Sequence, residues 1–165
     1  MATALIALGS NLSNPILQIR SALKALAHIP RSQVLLQSSL YRTLPIGYDA
    51  ESIKNVPDFI NAVAQLETTL TPQALLDTLF EIENKAGRER PYQFAPRVLD
   101  CDLLLYDDIV LSTEKLTLPH PRMHTRGFVL LPLFEIAPEC EIPNHGKIAT
   151  LIQKNVFNDV QKIPV

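Results

Sequence analysis

Two aspartates, two residues apart, are the first feature of the sequence that could support chemistry. Asp100 and Asp102 lie in the run R-V-L-D-C-D-L-L-L at 97–105. On a strand, residues i and i+2 project from the same face, so the two carboxylates would lie side by side. Paired carboxylates repel each other unless a cation lies between them, and Mg²⁺ prefers oxygen ligands together with substrate phosphates. The pair therefore indicates either a magnesium site or a polar, solvated strand face. The alternate residues are expected on the opposite face: Leu99, Cys101, Leu103 and Leu105.

Cationic residues flank the aspartates on both sides. Seven of the 15 Lys and Arg residues lie within 85–126. A solvated basic loop would explain them alone, but with the carboxylates nearby they favour an anion site, because guanidinium groups pair well with phosphate oxygens. His120 follows Pro119 in the same segment and becomes a candidate phosphate contact. The seven cations are Lys85, Arg88, Arg90, Arg97, Lys115, Arg122 and Arg126.

An aromatic and an amide share one face of another expected strand. The alternation over 58–68 places Phe59 and Asn61 together. An aromatic ring beside an amide can recognise a flat heterocycle through stacking and paired hydrogen bonds. Phe59, like Phe128 further along the chain, could equally be an ordinary core residue.

The elements that must position these residues follow the order β-α-β-β-α-β. Asn14 with Pro15, and Thr71 with Pro72, are typical helix starts. This order predicts an α/β (α+β) fold with a ferredoxin-like core, a mainly antiparallel sheet, helices on one face and extra C-terminal helices. Expected strands cover 3–8, 34–42, 58–68, 98–106 and a short return at 109–111; later helices cover 127–136, interrupted at Pro132, and 148–153.

Composition excludes several classes of protein. The 165 residues suit a single domain over 1–165, and 47% are hydrophobic. The formal net charge of −2 gives no reason to bind nucleic acid or an acidic membrane. The two cysteines form no metal-binding pattern, and with five glycines there is no glycine-rich phosphate loop. No apolar run is long enough to span a membrane. We expect a cytoplasmic monomer acting on small molecules.

Six short segments together resemble one enzyme family, the 6-hydroxymethyl-7,8-dihydropterin pyrophosphokinases of folate biosynthesis. The resemblance runs in register from about Thr3 to Glu139, and it is specific only in combination. The segments are G-S-N-L at 9–12, Y-R-T at 41–43, P-D-F-I-N-A at 57–62, A-P-R-V-L-D-C-D at 95–102, L-T-L-P-H at 116–120 and R-G-F-V-L-L-P-L at 126–133.

The resemblance implies transfer of pyrophosphate from ATP to the hydroxymethyl oxygen of the pterin, with AMP leaving. Asp100 and Asp102 would bind two Mg²⁺ ions. The residues implied in catalysis are Arg88, Arg90, Arg97, Asp100 and Asp102. Those implied to contact ATP are Glu83, Phe94, Arg97, Lys115, Thr117, His120 and Arg126. Those implied to contact the pterin are Thr43, Leu44, Ile46, Phe59, Asn61 and Phe128.

Some positions depart from the family pattern, and two other functions stay open. Phe94 stands where many members have tryptophan, Lys115 where arginine is frequent, and Pro121 where tyrosine is frequent. A metal-dependent phosphohydrolase could use the same aspartates, but it would need no aromatic pocket and would release orthophosphate or pyrophosphate to water. A non-catalytic ferredoxin-like binding module would show no magnesium-dependent binding of ATP.

Overall fold

An antiparallel sheet carries helices on both of its faces. The computed structural model describes residues 1–11, 14–43, 58–87, 98–155 and 157–164. Within these ranges the elements are β1 Ala2–Ser10, α1 Pro15–Ala27, β2 Ser32–Gln37, β3 Tyr41–Thr43, β4 Phe59–Thr68, α2 Pro72–Ala86, β5 Asp100–Tyr106, β6 Leu111–Ser112, β7 Thr117–Leu118, a 3-10 helix Met123–Thr125, α3 Gly127–Ile136, β8 Glu141–Ile142, β9 Gly146–Lys147, α4 Ile148–Gln153 and β10 Val160–Lys162.

The strand order confirms the ferredoxin-like prediction. Among the described residues the main sheet runs β10-β3-β4-β1-β5, and β2 pairs with β4 beyond the end of β3. Every pairing in this sheet is antiparallel. If β2 and β3 are taken as one interrupted strand, the core has the β-α-β-β-α-β connectivity expected from the sequence.

The first two helices start as the sequence predicts and pack on one face of the sheet. The side chain of Asn14 accepts a hydrogen bond from Leu17 N at 3.5 Å, and Thr71 Oγ1 accepts one from Ala74 N at 3.1 Å. These bonds satisfy amide groups that the first helical turn leaves unpaired. The buried apolar residues of both helices, such as Ile19 and Leu75, lie in one core with alternate residues of β1, β4 and β5.

Helix α3, one of the expected extra C-terminal helices, packs on the opposite face of the sheet. Val129, Leu130 and Leu133 are buried against Leu5 and Val63 of the sheet in a second core. The helix also continues through Pro132, where an interruption was expected. Burial of its apolar residues offsets the one hydrogen bond that proline cannot donate.

The expected strand over 34–42 is broken at Ser38. Ser38 N donates to Val63 O at 2.8 Å, and Ser38 Oγ accepts from Val63 N at 2.9 Å. One serine thus satisfies both backbone groups of its partner with a hydroxyl in place of a carbonyl. The chain therefore leaves the ladder at this point, and β3 begins three residues later, at Tyr41.

Two expectations for the region around β5 are wrong. The register of β5 on β1 shifts between Leu5 and Ile6, so Leu105 lies in the second core and not with Leu103. The expected return strand over 109–111 does not join the sheet. Asp107 turns the chain with a φ of 50°, and β6 pairs with β7 in a separate hairpin.

The C-terminal elements were predicted only in part. Helix α4 matches the expected range 148–153. The hairpin of β8 and β9 and the return of β10 to the main sheet were not foreseen. None of the helices in the described ranges has the length and apolarity to cross a membrane.

Candidate active site

The two aspartates lie on the same face of β5, as their spacing predicts. Asp100 pairs with Gly9 of β1 and Asp102 with Ala7, and both carboxylates are partly exposed. Cys101, between them, is buried in the opposite core. The structure therefore brings two carboxylates together above small residues of the neighbouring strand.

One row of paired residues connects the aspartates to the predicted heterocycle contacts. Gly9 pairs with Asp100 on one side and Asn61 on the other, and directly paired residues share a face. A Cβ on Gly9 would lie only 3.1 Å from Asn61 Oδ1, so the absence of a side chain there leaves the space that the amide occupies. Asp100 and Asn61 are two strands apart, about 10 Å at the usual strand spacing.

The amide of Asn61 is held in place by a buried hydrogen bond. Asn61 is 5% exposed, and its Nδ2 donates to Thr43 Oγ1 at 2.7 Å. Thr43 pairs with Phe59, so all three residues lie on the same face. A primary amide has two N–H donors and an acceptor oxygen, so Asn61 retains further capacity to bond a ligand edge.

Helix α3 brings an aromatic residue and a cation to the same face. Phe128 is partly buried and packs against the same core as Ala7, which is the partner of Asp102 in the sheet. The guanidinium carbon of Arg126 lies 5.5 Å from the centre of the Phe128 ring. A cation over an aromatic face is an attractive contact, and it fixes the arginine next to the ring.

His120 lies close enough to the charges of Asp102, Arg126 and Arg122 for all three to act on its ring. Its backbone N donates to Leu104 O at 2.9 Å, which ties it to β5, and its Nδ1 accepts from Arg122 N at 3.2 Å. In the neutral ring the proton is therefore assigned to Nε2. Burial lowers the pKa of His120; Asp102 opposes the shift, and Arg126 and Arg122 add to it. The arrangement favours a neutral imidazole that donates from Nε2.

Lys115 and Thr117 lie on the hairpin of β6 and β7. Both are exposed, whereas Leu116 and Leu118 between and beyond them are buried. Thr113 fastens the turn, since its Oγ1 donates to Leu116 O at 3.1 Å and accepts from Leu116 N at 3.0 Å. The hairpin leads directly into His120, and its polar side chains point outward.

Glu83 supports the strand that carries the aspartates. It is 6% exposed, and its Oε2 accepts from Cys101 N at 3.0 Å. Burial raises the pKa of the Cys101 thiol, and Glu83, Asp102 and Asp100 add to the shift. The carboxylate thus holds β5 at the residue between the two aspartates. Its expected place beside the nucleotide stays a prediction.

Several predicted site residues lie outside the described part of the chain, and others were missed. Those outside it are Leu44, Ile46, Arg88, Arg90, Phe94 and Arg97. Gly9 was given no role from the sequence, although it begins the G-S-N-L segment, and Arg122 was given none beyond its charge. Ser10, whose Oγ donates to Val98 O at 2.5 Å just before β5, was also missed.

The donor chemistry of the aspartate pair fits magnesium. Across the described ranges, no group of three or more His, Cys, Asp or Glu residues is arranged to hold a metal ion. Magnesium commonly takes one or two carboxylates and fills its remaining positions with phosphate oxygens and water. Two neighbouring carboxylates beside a cationic cluster suit a magnesium ion that arrives with a polyphosphate.

Comparison with known proteins gives consistent matches over most of the chain. A family model for 7,8-dihydro-6-hydroxymethylpterin-pyrophosphokinase (HPPK) matches residues 5–138. A Haemophilus influenzae protein named 2-amino-4-hydroxy-6-hydroxymethyldihydropteridine pyrophosphokinase is 44% identical over 154 residues, 93% of each chain. A Pseudomonas aeruginosa protein of the same name is 38% identical, covering 96% of this chain and 95% of the relative.

A solved structure of Plasmodium falciparum HPPK-DHPS has a similar fold. Its TM-score is 0.72 at 17% identity, and the match covers 100% of this chain and 48% of that chain. This chain therefore spans about half the length of that solved chain. At this identity the likeness concerns the fold alone.

Proposed function

The chain belongs to the 7,8-dihydro-6-hydroxymethylpterin-pyrophosphokinase family, and we propose that the row from Asp100 to Asn61 is where its two substrates meet. Family membership gives the reaction: transfer of pyrophosphate from ATP to 6-hydroxymethyl-7,8-dihydropterin, a step of folate biosynthesis. The observation that carries the site is the strand register. It places paired carboxylates and a buried amide on one face, with Gly9, which has no side chain, between Asp100 and Asn61.

The ATP end of this site is the aspartate pair with its cations. Asp100 and Asp102 would hold two magnesium ions, which when bound neutralise phosphate charge. His120 would donate from Nε2 to a phosphate oxygen, and Arg126 would pair with another. The charges of Asp102 and Arg126 both act on the His120 ring, and this proximity supports these roles. The other proposed contacts to the phosphates and nucleotide are Glu83, Arg88, Arg90, Phe94, Arg97, Lys115 and Thr117.

The pterin end is the amide with the two phenylalanines. Asn61 would bond the edge of the ring, with Thr43 holding the amide in the required orientation. Phe59 and Phe128 would stack on the ring faces, which is a favourable contact for a flat heterocycle. Leu44 and Ile46 would contribute backbone groups.

In this arrangement the pterin hydroxymethyl oxygen attacks the β-phosphorus. The bond from that phosphorus to the oxygen it shares with the α-phosphate breaks, and AMP leaves. Little covalent chemistry is required of the protein, so positioning and charge neutralisation supply most of the catalysis. The rigid row supplies the positioning, because both ends belong to one hydrogen-bonded sheet.

Further proposals concern the state of the protein. We propose a single catalytic domain over 1–165 and a cytoplasmic monomer that binds no nucleic acid. The formal net charge of −2 supports the last point.

The reaction is tested by following AMP formation with and without the pterin alcohol. The kinase requires the pterin, so AMP should appear only when both substrates and magnesium are present. A phosphohydrolase would release AMP equally fast without the pterin. A binding module would show no rise in unfolding temperature on addition of ATP and magnesium, whereas the enzyme should be stabilised by them.

The pterin pocket is tested by Phe128→Ala. Loss of one stacking face should raise the pterin KM about tenfold or more, with the ATP KM changed less than about twofold. Phe134→Ala is the matched control, because Phe134 lies on the same helix and is 42% exposed. An equal rise in both KM values for Phe128→Ala would argue against a stacking role.

A further inference from the structure

The segment 157–163 touches both sides of the proposed pterin pocket. Its first contact is with Gly127, the residue before Phe128. A Cβ on Gly127 would lie 2.5 Å from Cγ and Cδ1 of Phe157, far closer than such atoms approach in real proteins. The ring of Phe157 therefore packs directly on the backbone where α3 begins.

The second contact is with the strand that orients the amide. β10 pairs with β3, and Val160 is the direct partner of Thr43. Thr43 in turn pairs with Phe59 and accepts the hydrogen bond from Asn61. The segment thus continues the row that contains one aromatic side of the pocket.

The end of the segment is fixed at two further points. Ile163 N donates to Leu40 O at 2.8 Å. Lys162 pairs with Tyr41, and its charge is close enough to Glu135 of α3 to help lower the pKa of that carboxyl, although burial opposes the shift. The strand therefore cannot slide along β3 without losing these contacts.

These contacts connect the two phenylalanines of the proposed pocket, Phe59 and Phe128, by a continuous series of neighbouring residues. From Phe59 it runs through Thr43 to Val160, back along the chain to Phe157, and across to Gly127 and Phe128. Phe157 and Val160 are three positions apart in the chain, a reach of about 10 Å. A short, fixed connection of this kind sets how far the start of α3 stands from the end of β3.

We propose that Phe157 is a positioning residue for the pterin site, acting through Gly127 to set the place of Phe128 relative to Phe59 and Asn61. The inference rests on the proposed function. It goes beyond the family match, which ends at residue 138. A residue that only filled the second core would affect stability, whereas a positioning residue also changes pterin binding separately from ATP binding.

The first test compares Phe157→Ala with Phe157→Leu and with the exposed control Phe134→Ala. Phe157→Ala should raise the pterin KM about tenfold while the ATP KM changes less than about twofold, because a small misplacement of binding groups is costly. Phe157→Leu, which keeps most of the volume, should recover most of the pterin affinity. Steady-state AMP formation gives both KM values, and thermal unfolding shows that each variant is folded. A pterin KM unchanged, or raised by the same factor as the ATP KM, would overturn the proposal.

The second test reverses the contact and remains informative if Phe157→Ala fails to fold. Gly127→Ala introduces the clash from the other side and should also raise the pterin KM. In the double variant Gly127→Ala with Phe157→Ala, the contacts with Cγ and Cδ1 at 2.5 Å are removed, and only the contact with the Cβ of residue 157 at 2.9 Å remains. The two effects should then be strongly non-additive, as expected for residues in contact. Additive effects on the pterin KM would contradict the proposed path.

Phe128→Ala separates this inference from the proposed function. If Phe128→Ala leaves the pterin KM unchanged, the proposed pterin pocket is contradicted. If it raises the pterin KM but Phe157→Ala does not, only the positioning role is overturned.

Discussion

Gly9→Ala should weaken pterin binding although Gly9 has no side chain that could bond the pterin. Gly9 lies within the extended strand β1, so an alanine can adopt its backbone conformation. The new Cβ would lie 3.1 Å from Asn61 Oδ1. Asn61 is buried and has little room to retreat, so we expect its amide to turn away and lose its hydrogen bond to Thr43.

The size of the effect follows from that one bond. Leaving a buried amide or hydroxyl without its partner costs about 1–3 kcal/mol. Alanine in place of glycine recovers about 0.4–1 kcal/mol by restricting the unfolded chain. The net loss in the free energy of unfolding should be about 1–2 kcal/mol, or roughly 2–8 °C in the unfolding temperature. Loss of the oriented amide should also raise the pterin KM by about 5- to 100-fold.

Two substitutions at Thr43 serve as matched controls. Thr43→Val removes the hydroxyl and should reproduce the effect of Gly9→Ala, whereas Thr43→Ser keeps the hydroxyl and should not. Because Gly9→Ala and Thr43→Val break the same bond, their combination should raise the pterin KM little beyond either change alone.

The assay is steady-state AMP formation with each substrate varied in turn, together with thermal unfolding of every variant. Gly9→Ala would refute the reasoning if the pterin KM stayed within about twofold of the original, or if the ATP KM rose by the same factor. Either result would mean that the orientation of Asn61 does not determine pterin recognition.

Two further predictions concern charged residues. Asp102→Asn should reduce turnover about 100-fold or more, because a proposed magnesium ligand is lost. The unfolding temperature should stay unchanged or rise as repulsion from Asp100 is removed; loss of folding would instead show a structural role. Glu135→Gln should lower the unfolding temperature at pH 7, since Glu135 accepts hydrogen bonds from Ser39 and from Tyr41. Burial opposes the shift, but these bonds lower the pKa of Glu135 below its ordinary value of 4.5. The stabilisation that the Glu135 carboxylate contributes is therefore complete above pH 4.5 and is lost as the pH falls through the lowered pKa. The unfolding temperatures of the original protein and of Glu135→Gln should therefore converge in acid. A difference that stays constant with pH would contradict this role.

Local patterns predicted those parts of the fold that local physics decides. Asn14 and Thr71 start helices because their side chains satisfy amides within the next turn. The alternation in β4 correctly places Ile60 in the core, and the spacing of Asp100 and Asp102 correctly places them on one face. These inferences need only the periodicity of a strand or the geometry of one helical turn.

The parts that were missed depend on contacts between distant residues. The break at Ser38 exists because its hydroxyl reaches the backbone of Val63 in another strand. The place of Leu105 depends on a register shift against β1. Likewise, the partner of Gly9 across the sheet, and hence its importance for Asn61, is a property of register that no local pattern contains. The return of β10 to β3 leaves no signal of its own in a short polar strand.

The row between Asp100 and Asn61 has a consequence for which alcohols can react. Strands held in a hydrogen-bonded ladder do not separate to suit a ligand, so the sheet fixes the distance between Asp100 and Asn61 at about 10 Å. In the proposed arrangement Asn61 binds the pterin ring and Asp100 lies beside the ATP phosphates. The side chain of the pterin that carries the nucleophilic oxygen must span the distance between the bound ring and the β-phosphorus. A pterin alcohol with one more carbon in that side chain would still bind through its ring, but its oxygen would lie beyond the position for attack on the phosphorus. The sheet would then select alcohols by the length of the side chain, and the longer molecule would bind as an inhibitor and not react.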